Sequence, residues 1–247
     1  MSFRNFAKRM LPTPLWNQLG TWRRRWITRD DKERSAREVF SRIYENRIWE
    51  KGSSGAGSRT PEIVEPYIEA VDDWIKRHSA QSWTAVDLGC GDFQVGSRLF
   101  DRFDRYVAVD IVPSLIEAHR SNPAYQGVDF RCVDAIADSL PEGDVIFVRQ
   151  VLQHLSNQEI AEILPKLKKF RYAIVSEHLP SEQTLRRKNL DKVHGGEIRL
   201  VKGSGVYLDA PPFSLEYCTA ELLLEVSGFD RPVAGGVIRT TCYNFTP

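Results

Sequence analysis

At 247 residues and 28.3 kDa, with 42% hydrophobic and 27% charged residues, the chain is the size of one α/β domain with additions or two small domains, and its composition is globular. Lys and Arg (34) nearly balance Asp and Glu (33), and the basic cluster that exists is short, which argues against a nucleic-acid binder. No apolar run approaches the roughly 18 residues of a membrane span, and four scattered cysteines (Cys90, Cys132, Cys218, Cys242) form no C-x-x-C pair. A reducing, cytoplasmic setting is therefore expected, with neither a zinc site nor a disulfide framework.

The near balance of charge hides an asymmetry. Residues 1–34 hold nine Lys or Arg against three Asp or Glu, so the remainder is acidic. In "PLWNQLGTWRRRW", Leu15, Leu19, Trp22 and Trp26 recur at helical spacing and Arg23, Arg24 and Arg25 flank them. Such a stripe suits a helix lying on an anionic membrane surface, at the inner face of a membrane for a cytoplasmic protein, or docked on protein. The N-terminus lacks the apolar core of a secretory signal.

Residues 31–50 read as a second helix with Ala36, Val39, Phe40, Ile43 and Ile48 on one side. "GSSGAGS" (52–58) follows, either a flexible linker or a loop that closes over a ligand, as the neighbouring aromatics Tyr44 and Trp49 suggest. Residues 1–59 thus form a basic helical extension ending in a Gly/Ser loop, and residues 60–247 the main domain. Thr60-Pro61 marks the start of a helix whose face is Ile63, Val64, Tyr67, Ile68, Val71, Trp74 and Ile75.

From residue 84 strands and helices alternate. "TAVDL", "RYVAVDIV", "GVDFRCVDA", "DVIFVRQV", "YAIVSEH" and "VIRTTCYNF" read as strands. "VGSRLFDRF", "PSLIEAHRS", "SNQEIAEILPKLKKF" (capped by Ser156) and "SLEYCTAELLLEVSGF" read as helices. The alternation predicts an α/β doubly wound, Rossmann-like sheet with helices on both faces. Residues 180–213 form a long polar insertion of the kind that serves as a lid or binding loop.

In such a sheet ligands bind at the carboxyl ends of the strands. Three successive strands here end in Asp: Asp87 before Gly89-Cys90-Gly91, Asp110 before Ile111, and Asp134 before Ala135. A dinucleotide fingerprint, G-x-G-x-x-G, would need glycine at 94, where Gln94 stands. Carboxylates repel a pyrophosphate and suit a cationic ligand carrying a ribose and an adenine. Gly89 and Gly91 let the backbone approach that ligand.

"VDLGCGD", "VAVDIVPSLI", "FRCVDAI" and "DVIFVRQVLQHLS" resemble, in order, the motifs of the class I S-adenosylmethionine-dependent methyltransferases, over about residues 60–180. The resemblance implies a seven-stranded sheet, mostly parallel with its last strand antiparallel, and S-adenosyl-L-methionine as cofactor. It implies that Asp87, Gly89 and Gly91 hold the methionine part, Asp110 and Ile111 the ribose and adenine, and Asp134 and Ala135 the adenine edge, with Cys90 and Arg149 also in the cofactor site. Phe93 stands where many members carry a third glycine, which implies altered packing on the ligand. The whole chain also resembles bacterial methyltransferases found with genes for surface polysaccharides, through "YENRIWEKGSSGAGS", "DLGCGDFQ", "DIVPSLIE", "VLQHLSNQEI" and Gly195-Gly196…Arg199…Pro211-Pro212-Phe213. That implies a sugar hydroxyl in a glycan or sugar-linked precursor as acceptor, a small non-sugar acceptor or a non-catalytic binding role being the alternatives.

Methyl transfer to a hydroxyl is an in-line displacement that also needs a proton acceptor. His178, His154 and His194 are the candidate bases, with Glu177 behind them; no dedicated metal cluster is expected. Arg199 and Tyr207, in the insertion, are the candidate acceptor contacts.

Overall fold

The structure, a computed structural model, describes residues 33–49, 54–228 and 236–246. The expected surface helix of residues 1–29 lies outside them.

Seven strands make one sheet: β1 Thr84–Leu88, β2 Arg105–Asp110, β3 Val128–Cys132, β4 Val145–Arg149, β5 Tyr172–Leu179, β6 Thr219–Ser227 and β7 Val237–Asn244. Their spatial order is β3-β2-β1-β4-β5-β7-β6. The first five run parallel, and β7 runs antiparallel to both β5 and β6. The strand order reverses between β1 and β4, so the two loops leaving those strands diverge and open a crevice between them.

Among the described residues, four α-helices cover the sheet: α1 Ala36–Glu45, α2 Pro61–His78, α3 Pro113–Arg120 and α4 Asn157–Leu167. Burial on both faces explains the nearly unbroken apolar runs of the central strands. Val86, Leu88, Val107, Val109, Ile146 and Val148 pack with α1 and α4 on one face. Ala85, Tyr106, Ala108, Val145, Phe147 and Ile174 pack with α2 on the other. All seven residues expected on the inner face of α2 are buried there. Both α1 and α4 begin with a capping box, Ser35 with Glu38 and Ser156 with Glu159, in which each side chain satisfies a backbone N–H of the other residue.

Two elements differ from the sequence reading. The expected helix over "SLEYCTAELLLEVSGF" is instead β6, paired from Thr219 to Ser227 against β7, with a register shift between Leu222 and Leu224. The leucine run fits either period. Antiparallel pairing with β7 on one side and packing against α2 decide for the strand, a tertiary preference that overrides local propensity. The expected helix over "VGSRLFDRF" is two turns of 3-10 helix, Gly96–Arg98 and Phe100–Arg102. The bonds Arg98 N–H to the Val95 carbonyl and Leu99 N–H to the Gly96 carbonyl span three residues, and the segment stays too short for an α-helix.

Phe93 corrects a further expectation. Its φ of 57° is in the left-handed region that glycine adopts easily. Its ring is fully buried beneath the turn, 4.9 Å from both the Tyr125 and Phe130 rings, and takes no part in the cleft wall. It anchors the turn to the α2 face of the sheet. Phe93→Ala is expected to destabilise the fold by about 3–5 kcal/mol, the usual range for emptying a buried phenylalanine site, measured by chemical denaturation; a change under 1 kcal/mol would show that the ring is not anchoring the turn.

Candidate active site

The cleft lies at the carboxyl end of the sheet, over the switch point. The turn after β1 is fixed first: Gly89 and Cys90 N–H groups both bond the Val109 carbonyl of β2, at 2.8 and 3.1 Å. Gly89 and Gly91 have φ of 72° and 54°. At Gly91 a Cβ would also run into Ser54 Oγ and come within 2.9 Å of Tyr44 Oη, so glycine is needed for space as well as conformation.

Asp110, at the end of β2, ties this turn to the next. Its carboxylate accepts the Gly91 N–H and the Val112 N–H, each at 2.9 Å. From α3, buried His119 bonds the Gly91 carbonyl through Nε2 at 2.7 Å. On the β3 side, Asp134 accepts the Ile136 N–H at 3.0 Å. Lys166 of α4 donates to the Ala135, Ile136 and Asp138 carbonyls at 2.7–2.8 Å and fixes that loop.

The N-terminal segment closes the other side. Ser54 and Asp92 bond reciprocally: the Ser54 N–H to Asp92 Oδ2 at 3.0 Å, and the Asp92 N–H to Ser54 Oγ at 2.9 Å. Tyr44 Oη lies 2.8 Å from Ser54 Oγ. Arg149 donates to the Gly57 carbonyl at 2.6 Å. The described part of the Gly/Ser stretch is therefore a built piece of the cleft wall and not a free linker.

Phe40, Tyr44 and Trp49 form an aromatic wall beside His154, with the Trp49 and His154 rings 4.8 Å apart. The insertion docks on this wall. Trp49 Nε1 donates to the Gly196 carbonyl at 3.1 Å, and the Gly195 N–H donates to the His154 carbonyl at 2.9 Å.

Of the residues expected from the sequence, Asp87, Gly89, Cys90, Asp110, Ile111, Asp134, Ala135 and Arg149 line the cleft, with Gly91 in its supporting turn. The histidines separate. His154 lines the cleft. His194 does not: it is paired with Glu159 at 2.6 Å and with the Arg34 carbonyl at 3.0 Å, bracing α4 against the start of α1. Neither does His178, whose ring fills the space over Gly228 and Gly236, where a Cβ would strike it. Side chains alternate along β5, so Glu177 faces the 152–154 turn and His178 the opposite way. Glu177 accepts the Leu152 and Gln153 N–H groups at 3.0 and 2.9 Å.

Arg199 and Tyr207 also lie away from the cleft. Arg199 is 1% exposed. It donates to the Leu190, Leu152, Gln153 and Leu155 carbonyls and to Asn157 Oδ1, at 2.7–3.2 Å. It clamps the insertion to the turn that carries His154, next to the Glu177 charge. Tyr207 is half-buried within the insertion, with Lys188 Nζ 4.8 Å over its ring. The cleft residues that the sequence reading did not single out are Ser54, Asp92, Tyr106, Gln150 and Val151.

Burial governs the charges. It lifts Asp87 to about 7, against a hydrogen bond from Tyr106 that favours the ionised form. Burial also raises Asp110, opposed by the bonds from Val112 and Gly91. It pushes His154 down to about 3, with help from Lys192, so this imidazole is neutral. Because the Gly195 carbonyl can only accept, its 3.1 Å contact places the proton on Nδ1 and leaves Nε2 as an acceptor, which the Gln153 amide nitrogen approaches at 3.4 Å. Among the described residues no group of His, Cys, Asp and Glu is arranged to hold a metal ion, and no helix is long and apolar enough to cross a membrane.

The sequence profile of a methyltransferase domain matches residues 86–170, from β1 to just beyond α4. No curated protein sequence matches the chain. Solved structures share the architecture at low identity. The N-methyltransferase NodS from Bradyrhizobium japonicum WM9, in complex with S-adenosyl-L-homocysteine, superposes with a TM-score of 0.55 at 14% identity, covering 81% of this chain and 97% of NodS. Human N-acetylserotonin methyltransferase in complex with S-adenosylmethionine gives 0.53 at 15% identity, covering 87% of this chain and 61% of that one. The bifunctional kinase-methyltransferase WbdD gives 0.52 at 16%, covering 76% of this chain and 40% of WbdD. The matched segment thus sits in a seven-stranded α/β fold shared with these structures, with a wall over its cleft built from α1 and the segment after it.

Arg199→Met removes the clamp and leaves the buried carbonyls it holds, those of Leu152, Gln153 and Leu155, without that donor. It is expected to lower stability by at least about 1–3 kcal/mol, read from urea unfolding, while a true acceptor contact would lose activity without loss of stability.

Proposed function

We propose that the chain is an S-adenosylmethionine-dependent O-methyltransferase whose acceptor is a sugar hydroxyl in a glycan or a sugar-linked precursor. The observation that carries the cofactor is the series Asp87, Asp110 and Asp134 at successive strand ends, two of them buried enough for their proton affinity to rise. Such a set suits a cation with hydroxyl and amino groups to offer, and Gly89 and Gly91 leave backbone rather than side chain beneath it.

When bound, S-adenosylmethionine supplies a sulfonium methyl already activated for in-line displacement. The protein's task is to hold donor and acceptor in line, for which alignment is worth roughly 7–11 kcal/mol. Phe40, Tyr44 and Trp49 offer apolar ring surface on which a sugar can lie while its hydroxyls stay free to bond. His154 is the proton acceptor. Its neutral imidazole adds no charge beside the cationic donor. A base this weak takes the proton late, once the hydroxyl oxygen has begun to bond carbon and its proton has become acidic. The acceptor class rests on the motif resemblance to methyltransferases associated with surface polysaccharides.

Calorimetry tests the cofactor. Native protein is expected to bind S-adenosylmethionine, and Asp110→Asn to weaken binding at least tenfold. The cation favours ionised Asp87, so affinity is expected to fall by up to tenfold per unit as pH drops below about 7; flat affinity between pH 5.5 and 8 would remove Asp87 from the site. The same group acts on stability in the opposite direction. The folded chain holds the proton more tightly than the unfolded chain, so that contribution is present below the ordinary carboxylate range and lost as pH rises toward 7.

Transfer of a labelled methyl group tests the acceptor. Label is expected on nucleotide sugars or oligosaccharides, with His154→Gln lowering kcat by about 10²–10⁴. Label that appears only on non-sugar metabolites would replace the acceptor class.

A further inference from the structure

The insertion after β5 carries charge that the cleft does not use. Residues 186–202 hold six Lys or Arg against two Asp or Glu, a local excess like that of residues 1–34, and outside these two stretches the chain is net acidic. Two of the six cations work inside the fold: Arg199 on the carbonyls of the 152–155 turn, and Lys192 on the His154 carbonyl. The other four, Arg186, Arg187, Lys188 and Lys202, are exposed, and among the described residues no carboxylate pairs with them. Backbone bonds gather them. The Arg186 and Arg187 N–H groups both reach the Gly203 carbonyl, at 2.8 and 3.4 Å. Gly203 closes the turn Arg199–Lys202 with a φ of 65°, and a Cβ there would come within 2.9 Å of Arg186 Cγ. Glycine thus lets the arginine pair lie against the turn that ends in Lys202. Lys188 Nζ stands over the Tyr207 ring. Two aliphatic side chains share this surface with the cations: Val201, 60% exposed, beside Lys202, and Val193, 41% exposed, in the same insertion.

The basic N-terminal stretch joins the fold here. His194, next to Val193, bonds the Arg34 carbonyl at 3.0 Å. The chain that precedes residue 33 therefore enters beside the insertion. Its Leu15, Leu19, Trp22 and Trp26, with Arg23, Arg24 and Arg25, repeat the pairing of cations with apolar side chains. Such a pairing suits a partner that offers negative charge and hydrocarbon together, as an anionic bilayer does. A nucleic acid offers the charge but gives exposed valines nothing to enter. We infer that the insertion, through Arg186, Arg187, Lys188, Val201 and Lys202, docks on an anionic lipid surface together with the N-terminal stretch. The docking does not depend on the methyl donor.

The test is sedimentation of the full chain with vesicles of phosphatidylcholine alone and of phosphatidylcholine mixed with phosphatidylglycerol. Native protein is expected to favour the mixed vesicles by about tenfold or more, and to lose that preference as ionic strength rises. Each cation at such a surface gives about a fivefold gain in partitioning, so Arg186→Glu combined with Arg187→Glu is expected to weaken binding by about tenfold or more. Lys76→Glu, which reverses an exposed charge on α2, is expected to leave binding nearly unchanged. Val201→Ser keeps the charge and is expected to weaken binding to vesicles but not to a duplex oligonucleotide. Trp22→Ser with Trp26→Ser is expected to weaken vesicle binding in part. Equal binding to the two kinds of vesicle overturns the inference. So does native-like vesicle binding by the Arg186 and Arg187 variant, which leaves the N-terminal stretch alone on the lipid. Loss of oligonucleotide affinity in that variant, with vesicle binding untouched, assigns the patch to nucleic acid instead.

Discussion

The Asp110 carboxylate holds the site together. Through the Gly91 and Val112 N–H groups it joins the turn after β1 to the turn after β2. Backbone amides in a buried turn must be satisfied, and here one side chain satisfies two of them. The glycine turn can take its left-handed path because the peptides it strains are bonded on both sides, by Asp110 and by His119. Phe93 extends the same strained path and fixes it from below with its buried ring. A carboxylate with this structural duty is pre-positioned, since its direction is already set by the bonds it makes to the backbone.

The second constraint comes from outside the matched domain. Residues before α2 contribute Phe40, Tyr44, Trp49 and Ser54 to the cleft, and the insertion after β5 contributes Gly195 and Gly196 against Trp49 and His154. Neither segment could stand alone. The first is fastened by the Ser54–Asp92 pair, the second by Arg199 and by Lys192 on the His154 carbonyl. Both fastenings end on the short loops after β1 and β4. The two loops after β1 and β4 thus carry the segments that wall the cleft from both sides.

Much of this was legible in the sequence where the signal is local. Apolar runs ending in Asp gave strands whose last residues face the cleft, because strand ends and turns obey short-range rules. The α2 face followed from its 3.6-residue period. What was not legible depends on partners far along the chain. The leucines of β6 suit a helix or a strand until β7 is placed beside them. The histidines could not be sorted because which face of β5 a residue occupies depends on register, and one position separates Glu177 from His178. Arg199 looked like a loop cation available to a ligand; only the folding back of the insertion onto the 152–154 turn makes it a buried clamp. Phe93 looked like a change at the ligand, and only the fold shows its ring buried beneath the turn and away from the cleft.

The charge pattern links fold to chemistry. Burying Asp87 and Asp110 disfavours their ionised forms, and the protein supplies only partial compensation: chiefly a tyrosine hydroxyl and the Arg149 charge at Asp87, and the Val112, Gly91 and Ile111 amides at Asp110. Such groups are out of balance in the folded chain, since their raised proton affinity is the measure of interactions that water would have given and the protein does not. A cation bearing hydroxyl groups restores what is missing, with the charge acting on both acids and the hydroxyls donating to their remaining lone pairs. His154 shows the complementary case: burial, with Lys192 beside it, suppresses its protonation. The acids and the histidine stand on neighbouring loops of one switch point, so the same turns that fix the backbone also set the protonation of the groups facing the cleft.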